Sequence, residues 1–314
     1  AWALRDDDPP RSMLLADAAN QLSCPNREAA PTYPLGCAQS LTVKASLAFF
    51  DHNVSLAIDH AYQAQNLFEH LGEEQWLPRI YGVLALCSSA CGDYDLASDH
   101  ANKQLTLSQK RGDTEQEVAS YIHLANICSK RAAYSEAVNY LERALAIIGA
   151  HGQIHAHVRS LYDLGTYQAQ LGNYELATES AQKGLSLCEH APIHRSLRVR
   201  YRFLLGDCAA AQNQSEQALE HYRSGLREAT EGSDPTLQQQ SVQLEDLRIR
   251  GTTWLGSYHV KANQLDEALA RFHEALQIAD EKEHKATLAA THEQLAVAYK
   301  NAGKLDHILK NSTR

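Results

Sequence analysis

Between Leu161 and Gly184, apolar and small residues recur at three- and four-residue steps, stop at Leu171-Gly172-Asn173, and resume through Tyr174, Ala177, Ala181 and Gly184. That period marks one face of a helix and the Gly-Asn break marks a tight turn, so the stretch predicts two amphipathic helices folded into a hairpin. A lone hairpin cannot bury its apolar stripe, so copies are expected on both sides. The alanine at the place of Ala177 recurs as Ala57, Ala97, Ala137, Ala218 and Ala268, with Ile308 last, at steps of 40, 40, 40, 41, 50 and 40 residues. A Leu-Gly or Leu-Ala pair keeps the same register at Leu84-Ala85, Leu124-Ala125, Leu164-Gly165, Leu205-Gly206, Leu255-Gly256 and Leu295-Ala296; the first repeat carries Lys44-Ala45 instead.

This pattern predicts an all-α chain of about seven antiparallel helix pairs. Residues 1–23 read as a partial leading repeat: Trp2 and Leu4 end one helix, Asp8 caps the next, Pro9 and Pro10 suit its first turn, and Ser12, Ala16 and Ala19 repeat the small-residue spacing. Residues 24–36, with Pro25, Pro31 and Pro34, read as a loop, and 37–314 as the repeat array. Gly72, Gly112 and Gly152 recur between repeats, where glycine ends a helix in the left-handed conformation. The 50-residue step predicts one unusually long helix from Thr236 to Val260, started by Ser233-Asp234-Pro235. The last repeat stops soon after Leu305, which suggests a fragment of a longer protein.

The Leu-Gly pair in the first helix and the spaced small residues in the second resemble the tetratricopeptide repeat (TPR) family, whose usual period is 34; a period near 40 implies longer helices or turns. The resemblance implies a right-handed superhelical solenoid whose concave groove is lined by the first helix of each pair and often binds peptides. The opening residues Trp2, Leu4-Arg5 and Asp8-Pro9 also resemble TPR regions that precede catalytic domains in bacterial signalling proteins such as GGDEF-type diguanylate cyclases.

Five residues before each Leu of the paired motif stand Arg79, Ala119, Arg159, Arg200 and Arg250. Four guanidiniums at one repeat position would form a ladder along that groove, able to bind carboxylates or phosphates bidentately. Asn126 and Tyr162 are expected to face the same groove and hydrogen-bond a peptide backbone. The alternative is that the arginines pair with acids such as Asp163 and Asp207. The family's carboxylate clamp needs a Lys where Gly82, Ile122, Tyr162 and Phe203 stand, so it is not expected here.

Net charge of -9 disfavours general nucleic-acid or anionic-membrane binding. A second basic cluster, His194, Arg195, Arg198, Arg200 and Arg202, places Arg195, Arg198 and Arg202 on one helical face with Arg200 elsewhere. It lacks the further basic and aromatic segments that nucleic-acid binding requires. Seven cysteines without a C-x-x-C pair suit a reducing cytoplasm. His151, His155 and His157 straddle a turn without a companion ligand set, and Cys87 and Cys91 read as packing residues, so no metal, cofactor or catalytic centre is expected. The expected role is a protein- or peptide-binding module, the sensory or docking region of a bacterial signalling protein, taking an acidic or carboxylate-bearing segment. The alternative is a scaffold or homodimerisation module using the long helix after Pro235.

Overall fold

The structure, a computed structural model, describes residues 9–23, 33–151, 154–190, 195–230, 238–261, 264–281, 291–293, 295–297 and 300. Among these there are thirteen α-helices and no strand, divided into two compact units, Ala1–Gln153 and Ile154–Arg314. The first unit holds α1 (Pro9–Ser23) and the pairs α2 (Pro34–Phe50) with α3 (Val54–Leu71), α4 (Leu77–Ala90) with α5 (Tyr94–Arg111), and α6 (Thr114–Lys130) with α7 (Tyr134–His151). The second holds α8 (Ile154–Gln170) with α9 (Tyr174–His190), α10 (Arg195–Ala211) with α11 (Ser215–Thr230), and α12 (Gln238–Lys261) with α13 (Leu265–Glu281).

Short turns close each hairpin by satisfying exposed helix ends. Asn53 and Asp93 accept from the amides of Leu56 and Leu96 at 3.2 and 3.1 Å, capping the second helices. The preceding turn position is left-handed in every described pair that shows it: His52, Gly92, Ala132, Gly172 and Asn213 have φ of 60, 81, 58, 80 and 61°. Gly72 and Gly112 end α3 and α5 with φ of 71 and 67°, as expected from their spacing; Gly152 lies outside the described residues. Second helices of 16–18 residues and these turns together account for a period longer than 34.

Each second helix buries one stripe of four positions. In α3 it is Ala57, Ala61, Ala64 and Phe68; in α7 Ala137, Leu141, Ala144 and Ile148; in α13 Ala268, Phe272, Ala275 and Ala279. Small residues let the helices approach, and larger ones such as Phe68, Leu141, Ile148 and Phe272 fill the remaining space. At two Leu-Gly pairs the glycine makes room for an aromatic ring of the facing stripe, whereas at Gly165 a Cβ would meet Leu204 at 3.0 Å and the Ala177 carbonyl at 3.2 Å. A Cβ on Gly206 would lie 2.4 Å from the Tyr222 ring, and one on Gly256 2.7 Å from Phe272. Ala85 instead packs with Ala97 and Ala101, which leave room for a methyl. In α5 the third stripe position is Gln104, buried and bonded to Gln116 at 3.1 Å and His123 at 2.9 Å, its amide end 2.8 Å from where a Cβ on Gly82 would stand.

Several expectations change. Pro34 does not belong to the leading loop; it opens α2, where a ring without an N–H is tolerated. Lys44, at the place of the motif leucine, reaches Asp17 of α1 at 2.7 Å. The long helix is present as α12, 24 residues against 14–18 for the helices of the other pairs, and starts at Gln238; Ser233–Pro235 lie outside the described residues. Cys37 is disulfide-bonded, while Cys87, Cys91, Cys128, Cys188 and Cys208 are free thiols. Cys87 is a buried packing residue, as expected, its thiol pushed up to about 12 by burial and by the neighbouring Cys91, whereas Cys91 itself is exposed and does not pack. Most of the abbreviated last repeat, like residues 1–8, lies outside the described residues.

Candidate functional site

The six residues singled out for ligand binding fall in both units. Arg79 on α4 and Asn126 on α6 belong to the first; Arg159 and Tyr162 on α8, Arg200 on α10 and Arg250 on α12 belong to the second.

Arg79 follows the pairing alternative. Its terminal nitrogens stand 4.0 Å from Asp113 and 3.8 Å from Glu115, and its guanidinium covers the Trp76 ring at 5.5 Å. Asn126 is half-buried, and its backbone carbonyl accepts from the Ser129 hydroxyl at 2.8 Å.

The second unit is different. Among the described residues, Arg159, Arg200 and Arg250 make no ion pair within 4.0 Å. Arg200 lies 5.9 Å over the Tyr162 ring, and Tyr162 meets Tyr201 edge to face at 5.5 Å. Tyr201 is fully buried and donates its hydroxyl proton to the Val158 carbonyl, which fixes α10 against α8. Burial raises the Tyr162 phenol, with Arg200 and Arg250 acting against it. Asp163, one residue on, is pushed up to about 6 by burial, which the charges of Arg159 and Arg200 only partly offset. The arrangement is a partly desolvated basic face with one carboxyl easily neutralised.

Aromatic rings continue this region. Phe203 stacks on Tyr222 at 5.4 Å, Tyr222 on Trp254 at 3.7 Å, and Trp254 on Tyr258 at 5.8 Å. Asp207, which acts electrostatically on Arg250, accepts the Tyr222 hydroxyl. Sequence reasoning missed Trp254 and Tyr258. The signal was available, since Arg250, Trp254 and Tyr258 are spaced by four along one helix and share a face.

The basic cluster on α10 divides as its spacing predicts. Arg198 and Arg202 direct their Nε atoms to the two carboxylate oxygens of Glu228 on α11, at 2.5 and 2.7 Å, and Arg195 donates to the Glu228 carbonyl. Arg200 points away, to Tyr162. Glu228 is held below the usual carboxylate range: burial works to raise it, and the hydrogen bonds and charges of Arg198 and Arg202 prevail.

Paired helices repeated with one buried stripe define an all-α repeat protein of the helix-hairpin class. Tetratricopeptide repeat models match residues 76–148 and 158–190, so these stretches carry tetratricopeptide repeats. No curated relative matches the sequence significantly. Among solved structures, the signal transduction ATPase with a tetratricopeptide repeat sensor from Pyrococcus horikoshii aligns with a TM-score of 0.78 and 15% identity, over 99% of this chain and 44% of that one. The apo quorum sensor NprR from B. thuringiensis aligns at 0.74 and 13%, over 98% and 82%. A Rap protein complexed with competence and sporulation factor aligns at 0.58 and 17%, over 96% and 84%. At such identities the likeness concerns the fold alone. No described helix is long and apolar enough to cross a membrane.

Proposed function

We propose that this chain is a binding module, rather than a catalytic one, and that the first helices of its second unit receive an acidic or carboxylate-bearing protein segment. The observation carrying this reading is that Arg159, Arg200 and Arg250 lack ion-pair partners among the described residues while aromatic rings accompany them. Guanidiniums supply bidentate recognition of carboxylates, and Tyr162, Trp254 and Tyr258 supply flat apolar surface for side chains between them. Arg79, whose charge is already met by Asp113 and Glu115, and Asn126 contribute less to the site than their repeat positions suggest. The sensor and quorum-sensor relatives in fold support a sensory or docking role, and we place the module in a bacterial signalling protein.

The test is binding of a fluorescent acidic-peptide array to the intact chain and to a variant carrying Arg159→Glu, Arg200→Glu and Arg250→Glu, after matching helical circular dichroism. Selective peptides retained by the native chain and lost by the variant support the reading; equal retention overturns it.

A second reading, homodimerisation through α12, is favoured by that helix's 24-residue length. Sedimentation that shows concentration-dependent mass, abolished by shortening residues 238–245, supports it, and a monomer at high concentration overturns it.

A further inference from the structure

We infer that the second unit holds a separate anion site, a pocket between α10 and α11 that takes a phosphomonoester dianion. The cavity, about 430 Å³, is lined by Arg195, Arg198, Arg202, Ser224, Arg227 and Glu228. Its volume falls in the range of small-ligand sites.

Four guanidiniums and one carboxylate line it, a formal surplus of three positive charges among the lining residues, and two of the guanidiniums, those of Arg198 and Arg202, bond the carboxylate. Two elements supply them. Arg195, Arg198 and Arg202 come from one half-buried face of α10 at three- and four-residue spacing, and Arg227 comes from the last turn of α11. The local chemistry explains why they stay together. Arg195 donates to the Glu228 carbonyl, one of the last four of α11, which have no partner within the helix. Glu228 then neutralises the Nε edges of Arg198 and Arg202. Arg202 makes no bond through its terminal nitrogens and Arg227 makes no ion pair among the described residues, so donors remain for a second anion.

The surplus decides the ligand class. A lone carboxylate would duplicate the role Glu228 already fills and leave two charges uncompensated. A phosphomonoester brings close to two negative charges and three terminal acceptor oxygens, enough to bond guanidiniums from both helices at once. The Ser224 hydroxyl on α11 is a further donor within the lining. The site is distinct from the Arg159–Arg200–Arg250 face: Arg200, between Arg198 and Arg202 in sequence, turns to Tyr162 instead.

Isothermal titration of the full chain with inorganic phosphate, phenyl phosphate and benzoate tests this. The expected result is saturable, one-to-one binding of a phosphate probe, with benzoate at least tenfold weaker. Phenyl phosphate binding more tightly than inorganic phosphate points to an organic monoester; equal binding points to free phosphate. Arg227→Gln, which breaks no ion pair seen in the structure, should weaken binding about tenfold, as loss of a charge-assisted hydrogen bond does. Glu228→Gln, checked for an intact fold by circular dichroism, should tighten it by removing the internal competitor. The proposal is overturned by absence of saturable phosphate binding, by benzoate binding as well, or by Arg227→Gln leaving affinity unchanged.

Discussion

Arg79 in the first unit and Arg159 in the second occupy the same repeat position, yet their surroundings are opposite. Thirty-six residues after Arg79 stands Glu115, which closes an ion pair; thirty-six after Arg159 stands Arg195, which cannot. The first unit thus neutralises its basic position and buries polar groups inside, with Gln104, Gln116 and His123 joined by hydrogen bonds. In the second unit Arg159, Arg200 and Arg250 make no ion pair among the described residues, and aromatic rings pack on one another. Equal backbone geometry therefore does not imply equal chemistry along a repeat array, because each position is completed by a different neighbouring helix.

The comparison breaks most sharply at its close packing. A Cβ at Gly184 would lie 2.1 Å from the Tyr201 ring, which is fully buried and anchored to Val158, whereas a Cβ at Gly149 of the first unit would meet nothing within 4 Å. Gly184→Ala should therefore cost about 3 kcal/mol through overpacking, and Gly149→Ala should lose nothing. Urea denaturation of both variants measures the difference; equal midpoints would remove the packing account.

Next in size is the charge contrast. Charge reversal at Arg159 and Arg200 should lower acidic-peptide affinity at least tenfold, about 1.4 kcal/mol. Reversal at Arg79 should change affinity less than twofold while weakening the fold through repulsion with Asp113 and Glu115. Titration by fluorescence anisotropy separates the two. A loss as large from Arg79 as from the pair would erase the distinction.

A smaller effect compares turns. Ala132 holds φ of 58° in a place where Gly92 and Gly172 sit without strain. Ala132→Gly should stabilise the first unit by about 1 kcal/mol, since left-handed backbone penalises a Cβ. Gly172→Ala should destabilise the second by a similar amount, and thermal unfolding reads both.

The smallest expected effect is in pH. His100 is buried with neither ring nitrogen hydrogen-bonded and stacks on Tyr81 at 6.0 Å, and its pKa is lowered by burial first and then by Lys103. Below about 6.5 the unfolded chain takes up a proton that folded His100 refuses, so this residue reduces stability as pH falls. Asp163 acts in the opposite sense. Its folded carboxyl titrates at about 6, above its unfolded value, so it holds a proton the unfolded chain has released, and its penalty on stability is relieved as pH drops through that range. Stability measured against pH should therefore flatten in His100→Gln and steepen in Asp163→Asn. Unchanged slopes in both would contradict the burial assigned to these groups.

How legible these features were depends on distance along the chain. The stripe led by Ala57, Ala97, Ala137, Ala177, Ala218 and Ala268 is fully buried in every copy, and the spacing alone located it. Gly72 and Gly112 were equally legible, because a helix ending in left-handed backbone needs glycine locally. The face shared by Arg195, Arg198 and Arg202 followed from helical spacing, whereas their partner Glu228, 26–33 residues away, did not. Pro34 was misread as loop because proline suits both a turn and a first helical turn.

By itself the sequence determined the helices, their pairing into hairpins and the 40-residue register, because those depend on periodicity and on caps within a few residues. Only the tertiary structure decided which arginines are neutralised, which glycine faces which ring, and where four guanidiniums line one cavity. Such choices depend on side chains delivered by different helices, whose relative rotation and depth no local pattern records.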